Sequence, residues 1–172
     1  MAIDIIGQIY PPSSKGHKFI LVATDYFTKS VEAIPSKKVT SANMIDFVKE
    51  YIVYRFGIPQ TITTDQGTMF TSGEFDEFAI GMGIKVLNSS PYYAQANGQA
   101  EASNKGIIKL IKQKIEENPR RWHSLLNEAL WSYRMACHGS TKVSPYQLVY
   151  GHDAVLPGKL RLVLGGCFLQ IS

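Results

Sequence analysis

Three acidic residues, Asp4, Asp65 and Glu101, have the type and spacing that could support phosphoryl-transfer chemistry. Asp4 lies inside the apolar run Ala2–Gly7, Asp65 directly follows the β-rich segment 60–64, and 35 residues separate Asp65 from Glu101. Converging carboxylates repel one another unless cations bind between them, and hard oxygen ligands select Mg²⁺ or Mn²⁺. Two such ions can activate a hydroxyl nucleophile and stabilise a leaving oxygen. The three acids therefore indicate nuclease or transferase chemistry.

Glu101 has polar neighbours at helical spacing. Asn97 can cap a helix, and Gly98 allows close approach of backbone or ligand. Once that helix has begun, Asn104 and Lys105 follow Glu101 at i+3 and i+4 and lie on its face. An acid, an amide and a cation would then point the same way, beside a loop that contains tyrosines.

Each acid taken alone also has an ordinary structural explanation. Asp4 could lie in water on an edge strand or a frayed terminus, and Asp65 could form a local turn. Glu101 could simply pair with Lys105. Only the combination of the three favours a site.

The hydrophobic pattern predicts a mixed sheet flanked by helices. Residues 18–24 form an apolar run without alternation, which suits a strand covered on both faces, and the first three strands are expected to form a meander with Asp25 in a turn. The predicted strands are 2–7, 18–24, 31–34, 60–64 and 84–87. The predicted helices are one from the Thr40 cap to Gly57, one after the capping box Thr71–Glu74, one bearing Glu101, Ile107, Leu110, Ile111 and Ile115, one with Pro119 at its first position, and one from Ser144 to Gly151.

Composition limits the function classes. The net charge of +4 and pI of 9.0 favour an anionic partner only weakly. The segment 105–121 contains six cations and two acids. This excess of positive charge suits either a stripe that contacts phosphates or a solvated helix face. The two cysteines and four histidines lack zinc-finger spacing. No apolar run is long enough for a membrane span and no signal peptide is evident, so a soluble intracellular protein is expected.

Longer stretches of sequence connect these features to a known family. They are IDIIG with Asp4, ATDYFTKSVEAIP, FGIPQTITTDQGTMFTS with Asp65, PYYAQANGQAEASNK with Glu101, and WSYRMACHGSTKVSPYQLVYG. Together they resemble the catalytic core of retroviral-type integrases, and most of all the integrases of plant gypsy-type LTR retrotransposons. The resemblance covers approximately residues 3–157.

The resemblance implies a fold, an activity and a metal. The expected fold is α/β and RNase H-like, with a five-stranded mixed sheet and helices on both faces. The expected activity is DNA integration by polynucleotidyl transfer: trimming of the 3′ ends of element DNA, then attack of the new 3′ hydroxyls on target DNA. Asp4, Asp65 and Glu101 would be catalytic residues and would ligate Mg²⁺ or Mn²⁺, with two ions expected when DNA is bound.

The resemblance also implies DNA contacts and partners. Tyr92, Gln95 and Asn97 would lie in a loop beside the DNA end, and Asn104 and Lys105 would face its phosphates. The partners would be element ends and target DNA, bound by a homo-oligomer in the nucleus, which it would reach through the cytoplasm.

The chain departs from the family pattern at both ends. The family's N-terminal zinc module and C-terminal region are missing, and the first strand starts short. We expect a core at residues 1–157 and leave the tail at 158–172 unassigned. An excised domain, a truncated copy and a piece of a polyprotein all fit. Two alternative functions are an inactive remnant that binds nucleic acid or a partner, and an RNase H-type nuclease.

Overall fold

A computed structural model describes residues 1–64, 73–88, 108–139, 141–155, 163–164 and 167–168 of this chain. Its main feature is a five-stranded sheet in the order β3-β2-β1-β4-β5. The strands are β1 Ala2–Gly7, β2 Phe19–Thr24, β3 Val31–Ser36, β4 Thr61–Thr64 and β5 Lys85–Asn88. All five lie within two residues of their predicted positions.

The sheet is mixed, as predicted. The first three strands form an antiparallel meander, and β4 and β5 add in parallel on the other side of β1. Asp25 takes up its predicted place in the β2–β3 turn, where its Oδ2 accepts hydrogen bonds of 2.8 Å from the backbone N–H and hydroxyl of Thr28. β1 is therefore the central strand, and it carries Asp4.

Alternation along the strands separates two apolar clusters. On one face Ile3, Leu21 and Ile62 pack under helices that contribute Phe47 and Phe75. On the other face Ile20, Val22, Val31 and Ala33 pack under helices that contribute Ile111, Trp122, Leu126, Leu130 and Tyr133. β2 is covered on both sides, which explains its unbroken apolar sequence.

The helices divide between these faces. Those on the first face are α1 Ser41–Phe47, a π-helical segment Val48–Val53, α2 Tyr54–Phe56 and α3 Gly73–Met82. On the second face lie α4, described over 108–117, and α5 Trp122–Met135, and the last helix is α6 Pro145–Tyr150. We call the two sides of the sheet the α1–α3 face and the α4–α5 face.

Helix ends test the capping predictions. Thr40 caps α1 by accepting the Asn43 N–H, Ser144 caps α6, and Gly151 ends α6 with φ +78°. The prediction that Pro119 occupies the first position of a helix is wrong. Residues 119–121 form a turn, the Arg121 N–H donates to the Asn118 carbonyl, and α5 begins only at Trp122. The capping box proposed for α3 involves Thr71, which lies outside the described residues.

Two short strands occur in the C-terminal tail. β6 Val163–Leu164 pairs antiparallel with β7 Cys167–Phe168. The division between a core and a tail at residue 157 stays a prediction. Over the part of the chain that the structure covers, no helix combines the length and apolarity that crossing a membrane requires.

Candidate active site

Asp4 occupies the middle of the central strand. Its register partner on β2 is Val22, so Asp4 projects from the α4–α5 face together with Val22 and Ile20. It is half-buried and takes part in a hydrogen-bonding or electrostatic interaction. This position excludes the frayed terminus that the sequence left open, because β1 pairs with β2 along its whole length.

The register between β1 and β4 bears on the second acid. Ala2 is opposite Thr63, and Ile3 is opposite Thr64. The next residue of β1 is Asp4, and the next residue of the chain after β4 is Asp65. Two acids therefore directly follow a register pair in adjacent parallel strands.

The other predicted site residues fall outside the described residues. They are Asp65, Tyr92, Gln95, Asn97, Glu101, Asn104 and Lys105. The described part of the predicted Glu101 helix is α4, where Ile111 is buried on the α4–α5 face while Leu110 and Ile115 pack against the same cluster. Within the described ranges, no group of three or more His, Cys, Asp or Glu side chains forms a metal site.

Arg134 fixes α5 to the edge strand β3. Its Nε and one terminal nitrogen donate to the Val31 carbonyl at 3.0 and 2.8 Å, and the same terminal nitrogen lies 2.8 Å from Glu32 Oε1. This anchor holds α5 against the face that carries Asp4. It was not predicted from the sequence, although an arginine next to Tyr133 on an apolar helix was a usable signal.

Glu32 joins this anchor to the opposite face. Its Oε2 accepts a hydrogen bond of 2.7 Å from Arg55 of α2, and its side chain is only 7% exposed. Burial raises the pKa of Glu32, while the two arginines act in the opposite direction. Two arginines and a carboxylate thus connect helices on both sides of the sheet to β3.

Threonine hydroxyls lie close to Asp4 on its own face. Thr24 and Thr63 are the register partners of Ala2, two residues before Asp4 on the same side of β1. Thr24 is fully buried, and its Oγ1 has no hydrogen-bond partner among the described residues. Neither residue was singled out from the sequence. Ile62 is buried on the α1–α3 face, so its neighbours Thr61 and Thr63 in the alternating strand β4 lie on the α4–α5 face.

A groove adjoins the site. Its volume is about 530 Å³, and the described residues that line it include Ile5, Ile6 and Tyr10 from the β1 side and Ile108 and Lys112 from α4. A second cleft, of about 790 Å³, lies between the β2–β3 turn, α2 and α6. The first groove is the nearer one along β1, because its lining includes Ile5 and Ile6, the residues that follow Asp4, although Asp4 itself is among the described lining residues of neither cavity.

Comparison with known families gives a direct match. The sequence model of the integrase core domain family, rve, matches residues 1–94. The chain is 32% identical over 155 residues to the Pro-Pol polyprotein of feline foamy virus and 27% identical over 157 residues to the Tf2-3 transposon polyprotein of Schizosaccharomyces pombe. These alignments cover 90% and 91% of the chain but only 13% and 12% of the polyproteins.

Solved structures show the same fold. The HTLV-2 integrase catalytic core domain in complex with magnesium, in a trimeric form, aligns with a TM-score of 0.66 at 23% identity, covering 87% of this chain and 94% of that one. A chain of the simian T-cell lymphotropic virus intasome bound to the PP2A regulatory subunit B56 gamma aligns with a TM-score of 0.71 at 21% identity, covering 99% of this chain and 59% of that one. The fold is therefore RNase H-like, as the resemblance implied.

The family match extends over more than half of the chain, and the strand order, the central Asp4 and the solved neighbours agree with it. This chain belongs to the retroviral-type integrase catalytic core family.

Proposed function

We propose that this chain is the core of a divalent-metal-dependent polynucleotidyl transferase that processes the 3′ ends of retroelement DNA and joins them to target DNA. The observation that carries the proposal is the register pair Ile3 and Thr64, since Asp4 and Asp65 are the residues that follow it. Adjacent parallel strands lie about 4.8 Å apart, so two acids at successive positions could share a cation. Glu101 is proposed as the third acid, from the helix whose later turns pack on the α4–α5 face.

The residues fit the metal that the family uses. Asp4 is half-buried beside apolar Val22 and Ile6, so an ionised carboxylate there gains from a neighbouring cation. Asp65 and Glu101 would complete an all-oxygen donor set, which suits Mg²⁺ or Mn²⁺ and disfavours softer metals. Bound ions of this kind supply an activated hydroxyl nucleophile and charge stabilisation at the leaving oxygen.

The protein's own groups would orient the DNA. Lys105 is proposed to contact a DNA phosphate as a point charge and Asn104 to contact it by a hydrogen bond. Tyr92, Gln95 and Asn97 are proposed to lie beside the DNA end. The groove from Ile5 to Tyr10 offers a place for the strand to continue past Asp4. A homo-oligomer is part of the same proposal, and an intasome and a trimeric core among the neighbours support it. Action on chromosomal DNA in the nucleus is proposed with it.

The test is an Asp65→Asn substitution assayed for nicking and joining of DNA ends in Mn²⁺. The wild-type chain should give products, and Asp65→Asn should lower the rate by about 10²–10³-fold, because removing one group that stabilises transition-state charge typically costs that much. Asp76→Asn is the matched control, since Asp76 is an exposed acid on α3.

Other outcomes would change the conclusion. Equal activity of Asp65→Asn and wild type would reject the mechanism. Divalent-metal binding with no turnover on any DNA end would support the inactive remnant, and preference for an RNA–DNA hybrid over duplex DNA would support the RNase H-type nuclease.

A further inference from the structure

The β1–β2 connection contacts the end of β3 and the turn between α4 and α5. The Ser14 N–H donates to the Arg120 carbonyl at 2.8 Å, which ties this connection to the turn between α4 and α5. The His17 ring lies 5.3 Å from that of His123 and 6.2 Å from that of Trp122. The Lys18 N–H donates to the Ser36 carbonyl at 2.9 Å, which brings in the end of β3.

Five exposed cations surround this junction. They belong to three separate segments, the β1–β2 connection, the end of β3 and the α4–α5 turn, and they are Lys15, Lys37, Lys38, Arg120 and Arg121. Burial is the largest cause that lowers the pKa of His17, and the charges of His123, Lys37 and Lys15 lower it further. These three side chains therefore lie close enough to His17 to interact with it. We call the five cations the basic patch.

Carboxylates of the described residues do not neutralise the basic patch. Over the ranges that the structure describes, none of its five members is ion-paired with a carboxylate. The nearest acids along the chain are Glu116 and Glu117, and Glu117 is paired instead with Lys114 at 2.8 Å. Arg55 and Arg134, in contrast, both bind Glu32. The arginines that join the helices to β3 are paired, and the described cations of the patch are not.

The patch is separate from the proposed active site. Asp4 and the end of β1 at Gly7 are three residues apart, which is about 10 Å at the rise of an extended strand, and the patch lies beyond Gly7. The groove lined by Ile5, Tyr10 and Lys112 leads from Asp4 towards this end of β1. Duplex DNA advances about 3.4 Å per base pair, so DNA held at Asp4 would reach the patch after at least about three base pairs.

We propose that the basic patch binds the backbone phosphates of duplex DNA at a place distinct from the acidic site. Unpaired, exposed lysines and arginines from three segments match a line of phosphates, and the guanidinium groups of Arg120 and Arg121 can each bind a phosphate in bidentate fashion. Duplex DNA carries one negative charge per about 1.7 Å of its axis, a density that suits five clustered cations; an acidic protein is the alternative that the test distinguishes. The choice of DNA rests on the proposed function, whereas the charge and position of the patch do not.

The test measures binding of the full 172-residue chain to a duplex of arbitrary sequence, about two helical turns long, by fluorescence anisotropy. The titrations are made in EDTA, so that the acidic site cannot contribute through metal, over a range of salt concentrations. The variants are Arg120→Gln/Arg121→Gln and, on separate segments, Lys15→Gln/Lys37→Gln. The matched control is Lys85→Gln/Lys142→Gln, which removes the same charge from two exposed lysines outside the patch.

Each patch variant should bind at least about eightfold more weakly at about 0.1 M salt, and the slope of log K against log [salt] should become shallower by about 0.9 for each phosphate that is no longer neutralised. The control should retain the wild-type slope. Patch variants that fold normally by circular dichroism but bind with the slope of the control would overturn the proposal and leave an acidic protein as the alternative partner.

Two further arms define the DNA and separate the two proposals. A covalently closed circle has no ends, so weaker binding seen with it and with the linear duplex identifies contacts to any duplex, whereas weaker binding confined to the linear duplex identifies contacts to DNA ends. Both are forms of the proposed binding. If binding depends on the patch but the wild-type chain produces no joined DNA in Mn²⁺, the proposed function fails and the patch stands. If the wild-type chain joins DNA normally but the patch variants bind DNA as the wild type does, the patch proposal fails and the proposed function stands.

Discussion

The two faces of the sheet are built from similar apolar residues but differ in their polar content. On the α1–α3 face, Phe47 and Phe75 close over Ile3, Leu21 and Ile62, and the only polar atom of the described residues left buried without a partner there is the Thr64 hydroxyl. On the α4–α5 face, the Thr24 hydroxyl, the Trp122 Nε1 and the Tyr133 hydroxyl are buried without described partners.

This difference relates to function. A buried polar group without a hydrogen bond costs about 1–3 kcal/mol, so the α4–α5 face is the less optimised half of the core. It is also the face that carries Asp4 and receives α4. Stability is expected to be concentrated on the α1–α3 face, while the α4–α5 face tolerates polar groups around the proposed site.

The largest expected effect is on the α1–α3 face. Phe47 is 1% exposed and packs on Tyr51 with 5.6 Å between ring centroids. Phe47→Ala should lower the free energy of unfolding by about 3–5 kcal/mol, because it removes buried apolar surface and leaves a cavity. Urea denaturation measures this, with Phe27→Ala as control because Phe27 is 80% exposed. Equal losses of stability in both variants would contradict the burial assigned to this face.

A smaller effect of opposite sign is expected on the α4–α5 face. The Tyr133 hydroxyl has no described partner, and burial raises the pKa of Tyr133 to about 12. Tyr133→Phe removes the unsatisfied group while keeping the ring, so it should stabilise the chain by about 1 kcal/mol. Tyr10→Phe, at an 89% exposed position, should change little. Destabilisation by Tyr133→Phe would mean that the hydroxyl is satisfied, by water for example, and that Tyr133 does not contribute to the contrast between the faces.

The success of sequence-based prediction also differed between regions. The strands and the described part of the apolar stripe of α4, Leu110, Ile111 and Ile115, were found, because alternation and helical periodicity follow from burial of one or two faces. The start of α5 was missed, since Pro119 favours a first helical position but here lies in the turn before Trp122. The π-helical segment Val48–Val53 was also missed, because its residues have the same apolar spacing as an α-helix.

The site itself was predictable only in part. Asp4 stood out as an acid between isoleucines, and its place inside a strand is confirmed. The central position of that strand in the sheet was not predicted. The Arg134 anchor and the basic patch depend on residues far apart along the chain, such as Val31 and Arg134 at a separation of 103 positions, and no local pattern encodes such pairs. The meeting of Asp4 with Asp65 and Glu101 stays a prediction.

The smallest effect concerns pH and the surroundings of Tyr133. The His138 ring lies 4.5 Å from the Tyr133 ring, and its Nε2 is 3.3 Å from the Tyr133 carbonyl oxygen. Burial lowers the pKa of His138 below 6.5, the Tyr133 hydrogen bond raises it, and the charge of Lys29 lowers it further. In the unfolded chain His138 is protonated as the pH falls through about 6.5, whereas in the folded chain it is protonated only at a lower pH. The free energy of unfolding therefore keeps its full His138 contribution above about pH 6.5 and loses it as the pH falls to the folded-state pKa.

The loss of stability attributable to His138 should be seen between about pH 7.5 and pH 5.5, the range that spans the unfolded-state pKa of about 6.5. Urea denaturation at both pH values should show a smaller pH dependence for His138→Gln than for the wild type, while His152→Gln, at an exposed position, should retain the wild-type dependence. Other groups also contribute to the pH dependence, since the raised pKa of Glu32 acts in the opposite direction and the lowered pKa of His17 in the same direction, so the difference between variants carries the result. An unchanged pH dependence in His138→Gln would show that acid sensitivity does not arise beside Tyr133, and the contrast between the faces would then rest on the buried polar atoms without described partners alone.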